Sequence, residues 1–101
     1  MKRTPPVRAQ AYRIEAHLAA RAGEHARAIE CWTGAQELTS GCGMAFETAV
    51  LALERAEHAA TIGEPVDESE LLAAHKTFGR LQAEPWLARS ERLSAALSVR
   101  P

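Results

Sequence analysis

Four polar residues near the start of the chain are spaced so that they could bind an anionic group. They stand three, four and four positions apart, which places them along one side of an α-helix: Gln10, Arg13, His17 and Arg21. Arg13 and Arg21 would lie about 12 Å apart along the helix axis, and each guanidinium forms a planar fork that fits a carboxylate. We therefore predict that these residues bind a protein partner or an acidic peptide. The alternative is an ordinary solvated basic face, with Glu15, Glu24 and Glu30 nearby.

The histidines and cysteines do not follow a metal-binding pattern. They include no C-x-x-C, no H-E-x-x-H and no pair of histidines four positions apart: His17, His25, Cys31, Cys42, His58 and His75. The sequence also contains neither a G-x-S-x-G turn nor a phosphate-binding P-loop. We therefore expect no metal site, no cofactor and no catalytic residues. Cys31 is expected to be buried in a helix beside Trp32, and Cys42 to be an exposed thiol in a turn.

The composition predicts one helical domain. The chain has 101 residues, of which 47% are hydrophobic and only 5% aromatic, and it is rich in alanine, the strongest helix former. The net charge of -1 argues against a general nucleic-acid binder. The charge is uneven, since residues 1–22 carry five basic residues and one acidic residue, a net charge of +4. No secretory leader and no membrane-length apolar run is visible, so we expect a cytoplasmic protein that does not enter a membrane.

Apolar spacing predicts five helices and no strand. The predicted helices cover 6–22, 24–38 and 44–62, and two more begin at 67 and 84, so that one domain spans 6–97 between tails at 1–5 and 98–101. Gly23 and Gly63 are expected to end helices. Asp67, with Glu70 three residues later, resembles a capping box. The third helix is apolar on two adjacent sides and is expected to lie between neighbours.

The first and last helices offer apolar residues for docking. On the first helix, Val7, Ala11, Ile14, Leu18 and Ala22 form one apolar stripe, widened by Tyr12, Ala16 and Ala19. A short helical array leaves its ends uncovered unless another molecule packs there. The predicted oligomer or docking surface therefore comprises Trp86, Leu93 and Leu97 on the last helix, with Val7, Ile14 and Leu18 on the first as a further candidate. The alternative is that the five helices close a compact bundle unaided.

The pattern that begins at Tyr12 resembles a tetratricopeptide repeat. The matching residues are Tyr12, Ala16, Gly23, Ala28, Trp32 and Ala35, with Ser40 where the motif has proline. The resemblance implies antiparallel helix hairpins, in which Ala16 and Ala28 let two helices approach and Trp32 fills the groove beside them. It also implies that the first helix of each hairpin lines a concave groove. The corresponding glycine, Gly63, follows Gly23 after 40 residues, more than the 34 of the motif.

The last third of the chain resembles a narrower family. The segment FGRLQAEPW at 78–86, followed by Arg89 and Leu93, is similar to the closing helices of the repeat arrays in large ATP-binding bacterial regulators. These are the LuxR-type and MalT-like transcription activators, and the segment RAQAYRI at 8–14 fits the same array. The resemblance implies a regulatory role. It rests on packing residues, so it carries over neither the DNA binding nor the ATP hydrolysis of those activators.

These observations predict an all-α, five-helix, tetratricopeptide-like array of antiparallel hairpins. Its predicted function is that of a non-catalytic protein-interaction module, a regulatory adaptor that binds a partner peptide or helix in a groove lined by the first and third helices. The alternative is a homodimeric helical bundle that senses a small ligand. A third hypothesis, DNA binding through the basic first helix, is disfavoured by the acidic remainder of the chain.

Overall fold

The computed structural model describes residues 4–98, which form five α-helices and no strand. The helices are α1 (Thr4–Arg21), α2 (His25–Gly41), α3 (Ala45–Thr61), α4 (Glu68–Arg80) and α5 (Glu84–Ser98). The prediction of an all-α fold with five helices is thus confirmed. The prediction of a loop at 39–41 was wrong, because these residues complete the last turn of α2. The outer parts of the predicted tails, 1–3 and 99–101, lie outside the described residues.

The first four helices end in the same hydrogen-bonded turn. After α1, α2 and α3 the backbone turns at Gly23, Gly43 and Gly63, whose φ angles are +79°, +71° and +78°. After α4 the same position is held by Gln82, with a φ of +57°. At the first turn, the Glu24 amide donates to the Ala19 carbonyl at 2.8 Å, and the other three turns contain the equivalent bond. This is the Schellman motif, in which a left-handed residue closes the helix.

These turns recur at almost equal intervals. The four left-handed positions follow one another after 20, 20 and 19 residues, so that a helix hairpin repeats after about 40 residues. The tetratricopeptide motif repeats after 34. The helical array is therefore seen in the structure, but its tetratricopeptide-like arrangement is not established by it.

Each helix packs against the next one along the chain, and α3 also contacts α5. The α1–α2, α2–α3 and α4–α5 turns are three residues long, so these neighbours run antiparallel. The molecule is elongated, with extents of 49 × 34 × 20 Å. The core has two parts: one between α1, α2 and α3 around Trp32, and one between α3, α4 and α5 around Leu53 and Phe78. α3 contributes to both parts, as its two apolar sides predicted.

The buried side of α1 is lined by alanine. Ala9, Ala16 and Ala19 are buried, whereas the larger apolar residues Val7 and Ile14 are 69% and 59% exposed. Small side chains allow the backbones of α1 and α2 to approach closely, and the Tyr12 ring lies against Gly34 of α2. The larger residues of the predicted apolar stripe therefore point away from the core, on the opposite side of α1.

Spacing alone would suggest two features of α4 that the structure does not have. Leu72 and Leu81 fall on the apolar stripe of the helix by their spacing, but they are 52% and 46% exposed. A glycine inside a helix can mark a close helix contact, but a Cβ built at Gly79 would have no neighbouring atom within 4 Å. None of the helices in residues 4–98 combines the length and the hydropathy that crossing a membrane would require.

Candidate functional site

A buried glutamate on α3 is the centre of the polar contacts between the first three helices. Glu54 is only 5% exposed, although it carries a carboxylate. Its oxygens accept hydrogen bonds from Arg13 Nε at 2.9 and 3.1 Å and from Arg13 Nη2. The indole Nε1 of Trp32 donates to the same carboxylate at 3.1 Å, and His17 Nε2 lies 3.3 Å from it. Three side chains from α1 and α2 therefore converge on one acceptor.

The hydrogen bonds decide the charge of this carboxyl group. Burial alone raises the pKa of Glu54, because desolvation disfavours the charged form. The hydrogen bonds from Arg13 and Trp32, and the nearby charges of Arg13 and His17, outweigh burial, so that the pKa of Glu54 lies below its ordinary value. The bond to Glu54 in turn raises the pKa of Arg13. Arg13 and Glu54 therefore form an ion pair at neutral pH.

Two histidines that contact each other lie next to Trp32. His25 Nδ1 and His58 Nε2 are 3.1 Å apart, so at least one of the two nitrogens carries no proton. The His58 ring lies 5.4 Å from the Trp32 ring, and burial followed by the charge of His25 lowers the pKa of His58. Within the described part of the chain, no three His, Cys, Asp or Glu side chains converge as a metal ion would require.

A cavity of about 300 Å³ opens between α1, α3 and α5. Phe46 and Val50 of α3 and Trp86 of α5 provide an apolar lining, and Gln10 and Arg13 of α1 provide polar groups at its edge. Trp86 is held in place because it stacks on Phe78 at 6.1 Å and lies edge-on to Phe46 at 6.2 Å. The pocket is apolar at its centre, and its polar groups lie on two sides, since Glu47 of α3 also lines it.

Beyond this pocket, α5 is tied to α3 by a second ion pair. Arg89 Nε donates to Glu57 Oε2 at 3.1 Å, and the Arg89 guanidinium lies 4.7 Å from the centre of the Trp86 ring. The hydrogen bond to Glu57 raises the pKa of Arg89. The cation over the indole face stabilises the orientation in which Trp86 lines the pocket.

The structure brings the four residues predicted on α1 to one side of the helix but gives them different surroundings. Arg13 and His17 both contact the buried Glu54, and Gln10 lines the pocket. Arg21 is exposed in the last turn of α1. Arg13 therefore already has a carboxylate within the molecule, which leaves Arg21 as the more accessible guanidinium of the predicted pair.

The residues predicted on α5 are only half-exposed. Trp86 lines the pocket, and Leu93 and Leu97 pack against the second core cluster. The two cysteines lie as expected, Cys31 buried and Cys42 exposed.

Glu54 and Gln36 are polar residues of the interior that were not recognised from the sequence. Glu54 directly follows the apolar run 49–53, and this charge on a buried side of a helix was the available signal. Gln36 of α2 is 8% exposed, and its Oε1 has no hydrogen-bond partner among the described residues. Gln36 lines two adjoining cavities of about 320 and 520 Å³. No sequence feature distinguished it from the other glutamines.

Comparison with known proteins adds no relative. No protein-family model matches the chain, and no curated protein or solved structure does so either. The resemblances to tetratricopeptide repeats and to the LuxR-type and MalT-like regulators therefore stay predictions.

Proposed function

We propose that this chain is a non-catalytic protein-interaction module, a regulatory adaptor whose groove between α1 and α3 binds a peptide or helix of a partner protein. The observation that supports the proposal is the pocket of about 300 Å³ that these helices form with α5. Its volume is at the lower end for ligand pockets, which suits one or two side chains of a peptide.

The chemistry of the groove defines the partner. An aromatic or large aliphatic side chain fits the lining of Phe46, Val50 and Trp86. Acidic residues on the α1 side of this anchor, away from Glu47, would meet the third of the Arg13 side chain that remains exposed and, about 12 Å further along the helix, Arg21. Since Arg13 is already paired with Glu54, the acidic residues add orientation more than affinity, and the apolar anchor supplies most of the binding free energy.

The experiment is a peptide-display selection against the full chain, followed by affinity measurements on groove variants. We expect the selected peptides to share one large apolar residue flanked by Asp or Glu. Gln10→Trp, which fills the mouth of the pocket, should weaken binding roughly tenfold or more, and Arg21→Glu, which reverses an exposed charge, should weaken it by a smaller factor. Lys76→Glu, which changes an exposed charge on α4, is the matched control and should leave the affinity unchanged.

Arg13 is left out of this test because its replacement would unpair a buried carboxylate and disturb the fold. Peptides whose affinity does not respond to Gln10→Trp would bind elsewhere, and the proposed groove would then be wrong.

A second candidate function, sensing of a small ligand, is favoured by Gln36. A buried acceptor without a partner is costly, and rotation of the Gln36 amide towards the adjoining cavities would let a ligand hydroxyl or amine satisfy it. Thr33, Ser40 and Thr48 add hydroxyl groups to the lining of the larger one. A thermal-shift screen with neutral hydroxylated metabolites tests this function: a stabilising compound should lose its effect in Gln36→Leu, and a screen without any shift would reject it.

A further inference from the structure

One side of α1 is apolar and uncovered in the described structure. This outer face consists of Val7, Ala11, Ile14 and Leu18. Its three large residues are strongly exposed: Val7 at 69%, Ile14 at 59% and Leu18 at 58%. They lie on the side of α1 opposite the alanines that pack on α2. Isolated exposed apolar residues are common, but a continuous row of them along one helix marks a contact surface.

The internal repeat shows what kind of contact this side of the helix makes. Shifted by the hairpin period of 40 residues, Ile14 and Leu18 correspond to Glu54 and His58 of α3. Both α3 residues pack against Trp32 of the preceding hairpin. Glu54 accepts a hydrogen bond of 3.1 Å from the Trp32 indole, and the His58 ring contacts the Trp32 ring. The outer face of α1 is therefore the side on which this fold places another helix. Within residues 4–98, no helix occupies that position.

We propose that a second copy of this chain covers the outer face, with the two α1 helices antiparallel about a two-fold axis. The four residues are spaced four, three and four positions apart, which is the alternation of a coiled-coil seam. In an antiparallel pair, Val7 would pack against Leu18 of the partner subunit, and Ala11 against Ile14 of the partner subunit. The two inner layers would then each pair a small residue with a large one, and the two outer layers would each pair two large residues.

Charge complementarity selects the second copy and its direction. Arg8 and Glu15 are both exposed on the same flank of the outer face. In the antiparallel pair, Arg8 faces Glu15 of the partner subunit, and the two-fold axis repeats this contact, which gives two ion pairs. A parallel pair would instead place Glu15 opposite Gln10 of the partner subunit, without opposite charges. The same surface is thus complementary to itself, as a two-fold interface requires.

The size of the interface sets the strength of the association. α1 has 18 residues and is therefore about 27 Å long. Contact along one such helix buries less than the ~1,200 Å² of a standard interface, and interfaces of that size are weak. We expect an equilibrium between monomer and dimer at concentrations between about 10 µM and 1 mM.

The test is analytical ultracentrifugation of the full chain over that concentration range. We expect the mass to rise from 11.0 kDa towards twice this value. Ile14→Lys and Leu18→Lys should keep the chain monomeric, with unchanged helicity by circular dichroism because both sites are exposed. Leu72→Lys is the matched control, an equally exposed leucine on α4, and should leave the dimer intact.

Charge reversal then tests the antiparallel direction. Arg8→Glu and Glu15→Arg each create two like-charge contacts and should weaken the dimer about tenfold. Mixed together, the two variants should form a heterodimer at wild-type strength, because every contact is again between opposite charges. A chain that stays monomeric at 1 mM, or a dimer that Ile14→Lys does not weaken, would overturn the proposal. A dimer insensitive to both charge reversals would overturn its antiparallel direction. None of these results depends on the groove proposed above.

Discussion

Replacement of Arg13 by methionine tests whether the contact with Glu54 is an essential buried ion pair. Methionine keeps an unbranched side chain along the helix surface but removes the guanidinium, so the change isolates the loss of charge and hydrogen bonds. Glu54, at 5% exposure, would keep the Trp32 hydrogen bond and the nearby His17. Removing one partner of a fully buried pair costs about 3–5 kcal/mol.

The cost expected here is smaller than that of a fully buried pair. One third of the Arg13 side chain is exposed, and solvent screens the part of the interaction made there. The remaining bond from Trp32 also offsets some of the loss. We therefore expect Arg13→Met to lower the free energy of unfolding by about 2–3 kcal/mol. In a domain of this size, that corresponds to a fall in melting temperature of roughly 8–20 °C.

The pH dependence distinguishes an ion pair from simple packing. In the wild type, the pKa of Glu54 is lowered, so its contribution to stability is complete above the unfolded pKa and is lost as the pH falls through the folded pKa. Without Arg13, burial dominates and raises that pKa, so the penalty is present at neutral pH and fades as the carboxyl group becomes protonated. The stabilities of wild type and Arg13→Met should therefore converge on acidification.

The assay is urea unfolding followed by circular dichroism, at pH 7 and at intervals down to pH 4. Glu54→Gln in the Arg13→Met background is the matched variant, since it removes the unpaired charge while keeping the side-chain shape. The double variant should be more stable than Arg13→Met at pH 7. A loss below about 0.5 kcal/mol, the range of ordinary surface substitutions, or a loss that is the same at every pH, would refute the role of Arg13 in stabilising the ionised Glu54.

Three further predictions concern single residues. Because the pKa of His58 is lowered, the unfolded state binds more protons than the folded state below pH ~6.5, so the free energy of unfolding should fall as the pH drops from 7.5 to 5.5. His58→Gln should reduce this dependence of the unfolding free energy on pH, as measured by urea titrations. Gln82 and Gly63 both have positive φ, which glycine adopts without strain, so Gln82→Gly should raise the melting temperature by a few degrees and Gly63→Ala should lower it. A Cβ at Gly63 would meet no neighbouring atom, so the loss there measures backbone strain alone. Ser90→Ala removes the 3.0 Å contact with His75 Nδ1 and the 2.8 Å hydrogen bond that Ser90 Oγ donates to the Leu87 carbonyl, and it should cost about 1–2 kcal/mol in chemical denaturation.

The features that could be predicted from the sequence are those set by local chemistry. Gly23 and Gly63 end helices because only a residue without Cβ adopts positive φ at no cost. Asp67 caps α4, and its carboxylate accepts the Glu70 amide at 3.1 Å, as the spacing predicted. The side chain of Glu70 bonds Arg55 instead of completing a capping box. Local patterns thus fix where helices begin and end, while side-chain partners depend on neighbouring helices.

The packing side of α1 could not be read from hydrophobicity. Periodicity gives most weight to large apolar residues, so it favours Ile14 and Leu18 over Ala16 and Ala19. The packing depends instead on how closely two backbones approach, and only the alanine side permits the close contact between α1 and α2. The partner of Arg13 was equally inaccessible, since Glu54 lies 41 residues away and a pairing at that separation depends on how α1, α2 and α3 pack.

The contrast between α1 and α3 gives the exposed apolar row a physical meaning. On α3, the side that packs on the preceding hairpin combines the buried Leu51 with the polar Glu54 and His58, and neighbours hydrogen-bond or shield these two polar side chains. On α1, the corresponding side is apolar but uncovered, so Ile14 and Leu18 contribute little to the folding of the monomer. Burial of these residues would add stability only in contact with another helix, and Arg8 and Glu15 beside them match a second copy. Because this surface would be buried only in the dimer, dimer formation would raise the stability of the folded chain, and that stability would depend on protein concentration.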